Sequence, residues 1–241
     1  MTTVTTHNPV RTDVEASANS GDRAPQQSRT WALAGIGAAL AGVGTVLTSS
    51  AVNVVYRDEF SRGSIDGVAE ALTEKTGLML AFHTFTALGA VLMIVFAAGL
   101  FRRLRAVLPD SIAPVVALAG LAGTAVVSIL GSGLDTEFAM ASAGADGVVV
   151  DDASAAMYNH WIGTIPWLWT LAGLAGLAVF VAFRRGGAPR WLGLVGLVLG
   201  GLTVALGVSP LEYMAAGTGV LWLLVTAIGF TVGDKAFRGT R

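Results

Sequence analysis

Apolar and polar positions in this chain are sorted into long blocks. Six apolar stretches, at 31–55, 78–100, 112–133, 161–183, 191–208 and 214–232, are separated by polar connections. Each reaches or approaches the ~20 residues with which an α-helix crosses a ~30 Å hydrocarbon layer. The pattern predicts an all-α fold, a polytopic bundle of six transmembrane helices. An even number of crossings places both termini on one side of the membrane.

The connections have patterns of their own. Within 64–77 the apolar residues Ile65, Val68 and Leu72 recur at helical spacing among Asp66, Glu70, Glu74 and Lys75. This predicts a short amphipathic helix lying on the surface and ended by Gly77. The segment 134–160 is rich in Ala, Gly and Asp, and Asp152 is placed to cap a helix running into the fourth crossing. The turn 209–213 is short enough to make the last two crossings a tight hairpin. Pro166 predicts a kink in the fourth helix, since proline removes one backbone bond and crowds the preceding turn.

Charge gives the bundle a direction. Arg11, Arg23, Arg29, Arg102, Arg103, Arg105, Arg184, Arg185, Arg190, Lys235, Arg238 and Arg241 fall on one face, which takes 12 of the 15 cations. The opposite face has Arg57, Arg62 and Lys75 with 11 of the 16 acids. Cytoplasmic loops retain Lys and Arg, so the expected orientation is N-in/C-in at the plasma membrane. The expected organisation is a disordered cytoplasmic tail at 1–30, a bundle at 31–233 and a short basic cytoplasmic tail at 234–241. Tyr56, Tyr158, Tyr213 and Trp161 are expected at the outer headgroup level and Trp31 and Trp191 at the inner one. Trp167, Trp169 and Trp222 lie deeper and read as packing residues.

Composition removes several kinds of chemistry. With no cysteine in the chain, disulfides, thiolate metal sites and cysteine nucleophiles are excluded. Neither lysine lies in an apolar stretch, which excludes a Schiff-base photoreceptor. No nucleophile-elbow glycine pattern surrounds a serine, and the glycine-rich segments lack a Walker lysine. The 31 glycines instead fall at small-residue spacing inside helices. Gly196 and Gly200 form a GxxxG pair with Gly193 one turn before, and Ala38 with Gly42 and Ala119 with Gly123 are looser versions. Such faces let helix backbones approach, within the bundle or in a homo-oligomer or with a membrane partner.

The polar residues of the crossings cluster toward one end. They are Ser49 and Asn53 on the first helix, His83 and Thr86 on the second, Ser128, Ser132 and Asp135 on the third, and His160 and Thr164 on the fourth. Glu212 joins them from the last outer turn. Each set repeats at three or four residues and so shares a helix face. Polar groups at membrane depth face the bundle interior or a water-filled cavity. The expectation is therefore a polar pocket between helices one to four, open to the outer face. His83, roughly 8 Å below the outer helix end, is its sharpest residue and is expected near Ser49, Asn53 or Ser132.

The run Phe183-Arg184-Arg185, followed by Pro189-Arg190-Trp191-Leu192-Gly193 at the head of a glycine-rich helix, resembles small six-helix integral membrane proteins of actinobacteria grouped as domains of unknown function. That resemblance covers the crossings and implies an architecture without an assigned activity. The functional expectation is a non-enzymatic binding or signalling subunit. It needs no cofactor and binds no nucleic acid, and the lipid bilayer is its first partner. A small-solute or proton-coupled transporter is the alternative. A haem- or metal-binding protein, using His83 and His160 with Asp135, Glu137, Asp151 or Asp152, is the third reading.

Overall fold

The structure, a computed structural model, describes residues 29–55, 64–144, 150–160 and 162–232. The two predicted tails, apart from Arg29 and Thr30, lie outside the described residues, as do Gly233, Tyr56, Arg57, Arg62 and Trp161. Every regular element among the described residues is helical: α1 (Thr30–Val52), α2 (Val68–Thr73), α3 (Thr76–Arg105), α4 (Ala113–Ser142), α5 (Asp152–His160), α6 (Thr170–Arg184), α7 (Arg190–Val195), α8 (Gly201–Val208) and α9 (Ala215–Val232). Short 3₁₀ turns, Ile162–Trp167 and Glu212–Met214, precede α6 and α9, and a π-helical turn, Gly196–Gly200, joins α7 to α8. Grouped into spans, these elements make six helices long and apolar enough to cross a membrane. The chain is a multi-pass membrane protein.

Consecutive spans pack side by side, and α9 closes the ring against α1. The interior is built from small residues, among them Ala32, Ala38, Ala117, Ala172, Ala175 and Ala178, all buried. Large apolar side chains divide between the two sides: Phe96, Trp222 and Phe230 are buried, whereas Leu47, Val126 and Val198 are each more than 60% exposed. Helices that are apolar all round suit a lipid surrounding, where no hydrophobic drive separates inside from outside.

Gly193, Gly196 and Gly200 are spent inside the chain. A Cβ on Gly196 would lie 2.4 Å from the carbonyl oxygen of Gly176, and one on Gly200 2.8 Å from that of Gly173. The fifth span therefore meets α6 backbone to backbone, through its π-helical turn. A Cβ on Gly193 would fall among the Phe183 ring atoms.

α3 extends past the predicted bounds at both ends and α4 at its C-terminal end, each helix having 30 residues. Arg102, Arg103 and Arg105 thus occupy the last turn of α3, where cations complement the helix dipole, and do not form a loop. Arg103 is buried and donates from Nη2 to the Gly187 carbonyl at 2.9 Å. That carbonyl belongs to the cap of α6. Gly186, at φ 73°, lets the Gly187 N–H return to Ala182 and its own N–H to Phe183. We refer to this as the basic end and to the opposite one as the acidic end.

Three sequence expectations at the acidic end need correction. The amphipathic helix is only α2, and Gly77 is the second residue of α3, which starts at Thr76 after its cap residue Lys75. Val68 and Leu72 are fully buried, packed with Met79, Ala139, Ala155 and Tyr158, so α2 is part of a second small core and does not simply rest on a surface. Asp152 caps a different helix: its carboxylate accepts the Gly67 and Ala69 N–H groups at the start of α2. Asp151 caps α5, accepting the Ser154 N–H at 2.7 Å, and this bond holds its carboxyl below the usual range.

Candidate functional site

The fourth span is broken, where the sequence predicted a kink. Pro166 sits in the 3₁₀ turn between α5 and α6, because its ring cannot continue an α-helix and its nitrogen has no proton to give. The freed backbone groups find partners from side chains. Trp169 Nε1 donates to the Pro166 carbonyl at 3.0 Å, and Ser49 Oγ donates to the Gly163 carbonyl at 3.3 Å. Non-helical backbone at this depth is tolerated where protein or a cavity surrounds it. Gly131 of α4 makes room for the turn, since a Cβ there would lie 2.9 Å from Ile165 and from Pro166.

Beside the break lies a cavity of about 720 Å³, within the usual range for small-molecule sites. The end of α1 contributes Ser49, Ser50, Val52 and Asn53, and α3 contributes Phe82. The broken span supplies Tyr158, Asn159, His160, Gly163, Thr164 and Trp167, and Tyr213 reaches in from the turn before α9. Ser50, His160 and Tyr213 are exposed at its rim, whereas Val52, Phe82, Tyr158 and Asn159 are buried in its wall. Trp167 donates from Nε1 to Ser49 Oγ at 2.9 Å, tying the turn to α1. Asn159 Oδ1 accepts the N–H groups of both Val54 and Val55, at 2.9 and 3.1 Å, and so fixes the chain as it leaves α1. The Asn53 Oδ1 atom is buried with no hydrogen-bond partner.

Of the sequence candidates, Ser49, Asn53, His160 and Thr164 come together in this cavity. The third helix, expected to line the pocket, supplies none of its described lining residues. His83 turns to α4: its Nδ1 lies 2.8 Å from Ser132 Oγ, 2.9 Å from the Ser132 carbonyl oxygen and 2.5 Å from Thr136 Oγ1. Ser49 and Asn53 are not in this group. The Thr136 hydroxyl donates to the Ser132 carbonyl, and the Ser132 hydroxyl lies within reach of the His83 carbonyl. With those protons placed on carbonyls, Nδ1 is the donor and Nε2 the accepting nitrogen.

Thr86 pairs with Thr45 at 3.2 Å. Both line, with Ser128, a void of about 20 Å³ below Trp167, room for one water molecule. Asp135 is fully buried, and its Oδ1 accepts the Tyr158 hydroxyl while Oδ2 has no partner. Glu212 stands in the 3₁₀ turn before α9, outside the cavity lining.

Two residues central to the site escape sequence reasoning. Tyr158, expected at the headgroup level, is 1% exposed, stacked on Phe138 with ring centroids 3.8 Å apart. Asn159 carries no signal in sequence, because an asparagine that holds a remote backbone looks like any loop asparagine. Trp167, expected to be packing, forms a cavity wall, whereas Trp169 and Trp222 are buried as expected.

Among the described residues no three of His, Asp and Glu stand together in a way that could hold a metal ion. His160 lines the cavity and His83 does not, so this arrangement does not offer two histidines to one haem. Compared with known proteins, the chain matches no family, no curated protein and no solved structure.

Proposed function

We propose that this is a plasma-membrane protein with both termini in the cytoplasm, acting as a non-enzymatic binding or signalling subunit that takes up a small molecule at its outer face. The observation that carries the reading is the cavity of about 720 Å³ formed where the fourth span breaks. Discontinuous helices at membrane depth expose backbone and side-chain polar groups, and such breaks form binding sites in membrane proteins. The cavity combines aromatic walls with a few convergent polar groups, the composition of a small-molecule site. Orientation rests on the 12 to 3 division of cations between the two faces.

Binding is favoured over transport by what lies beneath. Below Trp167 the void shrinks to about 20 Å³, and toward the basic end Trp31 packs against Phe96 and Phe230 with centroids 5.5 and 5.4 Å apart.

The absence of cysteine from the chain makes a direct test simple. Single cysteines placed by Ser50→Cys and Thr164→Cys should react with a membrane-impermeant maleimide added to intact cells, and Ala106→Cys at the basic end should not. Labelling of Ala106→Cys alone would overturn the orientation, and protection of all three from the reagent would remove the open cavity.

A further inference from the structure

We infer that the basic end of the bundle carries a binding site for the headgroup of an anionic phospholipid. The inference is independent of the cavity and of which face is cytoplasmic. The first observation is how the fold gathers charge. Buried Arg103 donates to the Gly187 carbonyl at 2.9 Å, and a Cβ on Gly187 would lie 2.6 Å from Val107 Cγ2. The turn after α3 is thus packed on the turn after α6, and two basic segments distant in sequence form one surface. Arg102 and Arg105 stand on it from the last turn of α3, Arg184 and Arg185 from the end of α6, and Arg190 from the first residue of α7. All five are exposed, and none of their side chains makes an ion pair or hydrogen bond among the described residues. Across 101–113 and 184–196 the single acid, Asp110, faces six arginines.

The second observation is that helix electrostatics do not account for the whole set. Cations in the last turns of α3 and α6 complement the helix dipole, but Arg190 opens α7, where the dipole has the same sign. Guanidinium groups gathered on one surface repel one another, and an anion shared among them removes that repulsion through charge-assisted hydrogen bonds. The third observation is the level at which they stand. Trp191, beside Arg190, is 45% exposed with its ring against Gly229 of α9, and Ile112, after the turn that Arg105 begins, is 78% exposed. Large apolar side chains beside the arginines place this end where hydrocarbon meets headgroups, the level to which long cationic side chains reach. An anion that comes with an acyl body fits both features: its phosphate meets the guanidinium groups, and its chains meet the indole and Ile112. Clusters of about 4–8 cations immediately beside membrane helices attract anionic lipids in this way. A soluble phosphate or an acidic peptide would use the arginines alone.

Two lipids with the same acyl chains test this: phosphatidylglycerol and phosphatidylcholine, each titrated into the full chain in a neutral detergent, with bound lipid counted by native mass spectrometry. Phosphatidylglycerol should bind about tenfold more tightly, and added salt should weaken it alone. Arg184→Gln combined with Arg185→Gln should lower its affinity about fivefold for each arginine removed and leave phosphatidylcholine unchanged. Arg102→Gln combined with Arg105→Gln, on the other segment, should give the same loss. Lys75→Gln, a cation at the acidic end, should change neither lipid. Equal binding of the two lipids by the parent, full affinity in both arginine variants, or an equal loss in Lys75→Gln would overturn the inference. So would displacement of bound phosphatidylglycerol by equimolar inorganic phosphate or polyglutamate, which would assign the arginines to a soluble anion or an acidic protein.

Discussion

Replacing Gly196 by alanine tests whether the glycine pair of the fifth span holds this bundle together from within. The added Cβ would stand 2.4 Å from the Gly176 carbonyl oxygen, 3.2 Å from its carbon and 3.4 Å from the Phe180 nitrogen. All three are backbone atoms of α6, so no side-chain rotation relieves the clash. Restoring ordinary contact requires the two spans to part by about 1 Å along that line, and dispersion falls steeply over such a gap. The neighbouring contacts of Gly200 with Gly173 and Gly176, made at the same interface, would loosen with it. Overpacking of this kind costs about 1–3 kcal/mol. The better helix propensity of alanine returns up to about 1 kcal/mol, leaving a net loss of about 1–2 kcal/mol. Gly217→Ala is the matched control, because a Cβ there meets nothing within 4 Å. Unfolding of the purified protein in mixed micelles should show Gly196→Ala less stable than the parent and Gly217→Ala equal to it or more stable. The oligomeric state should be the same in both. Equal stability of the two variants, or a change confined to oligomeric state, would refute an intramolecular role for the pair.

Asn159→Leu should cost about 2 kcal/mol in the same assay, since it strands the Val54 and Val55 N–H groups at the exit of α1; no loss would mean that water replaces the amide. Tyr158→Phe should destabilise by about 1–3 kcal/mol by leaving buried Asp135 without its donor, and adding Asp135→Leu should recover part of that loss. A double variant less stable than Tyr158→Phe would show that the carboxyl has a further role. Asp151, whose carboxyl is held below its usual value by the Ser154 N–H, supports α5 above the unfolded value of about 4. That support disappears as pH falls through the lower folded value, so Asp151→Asn should flatten the acid side of a melting-temperature profile against pH.

Span number and span character are legible in the sequence because lipid imposes one rule on every residue of a crossing. Where other forces act, the bounds move. The apolar window ends near Leu100, yet α3 runs on to Arg105 because Arg103 docks on the cap of α6. Likewise the window at 112–133 stops just short of its first charged residue, Asp135. The helix continues to Ser142 because Asp135 and Ala139 are buried against α5, whose position no local pattern reveals. Gly77 looks like a helix stop, but the left-handed backbone falls at Gly67, where the N–H turns toward Asp152 some 85 residues further on. A cap supplied from across the fold cannot be read from neighbours in the chain.

The candidate site divides along the same line. Helical spacing correctly gathers polar residues onto faces, but a face does not name its partner. Ser132 and Asp135 share a side of α4 and still point to different neighbours, His83 of α3 and Tyr158 of α5. The cavity forms elsewhere because one proline ends a helix inside the fourth span. Once α5 and α6 are separate, the Gly163 carbonyl needs a donor and finds Ser49, whose oxygen in turn accepts the Trp167 indole. That chain of needs pulls Trp167 out of the packing role its depth suggests and makes it a wall. Composition gives the polar inventory, but the break determines which of those groups share a space.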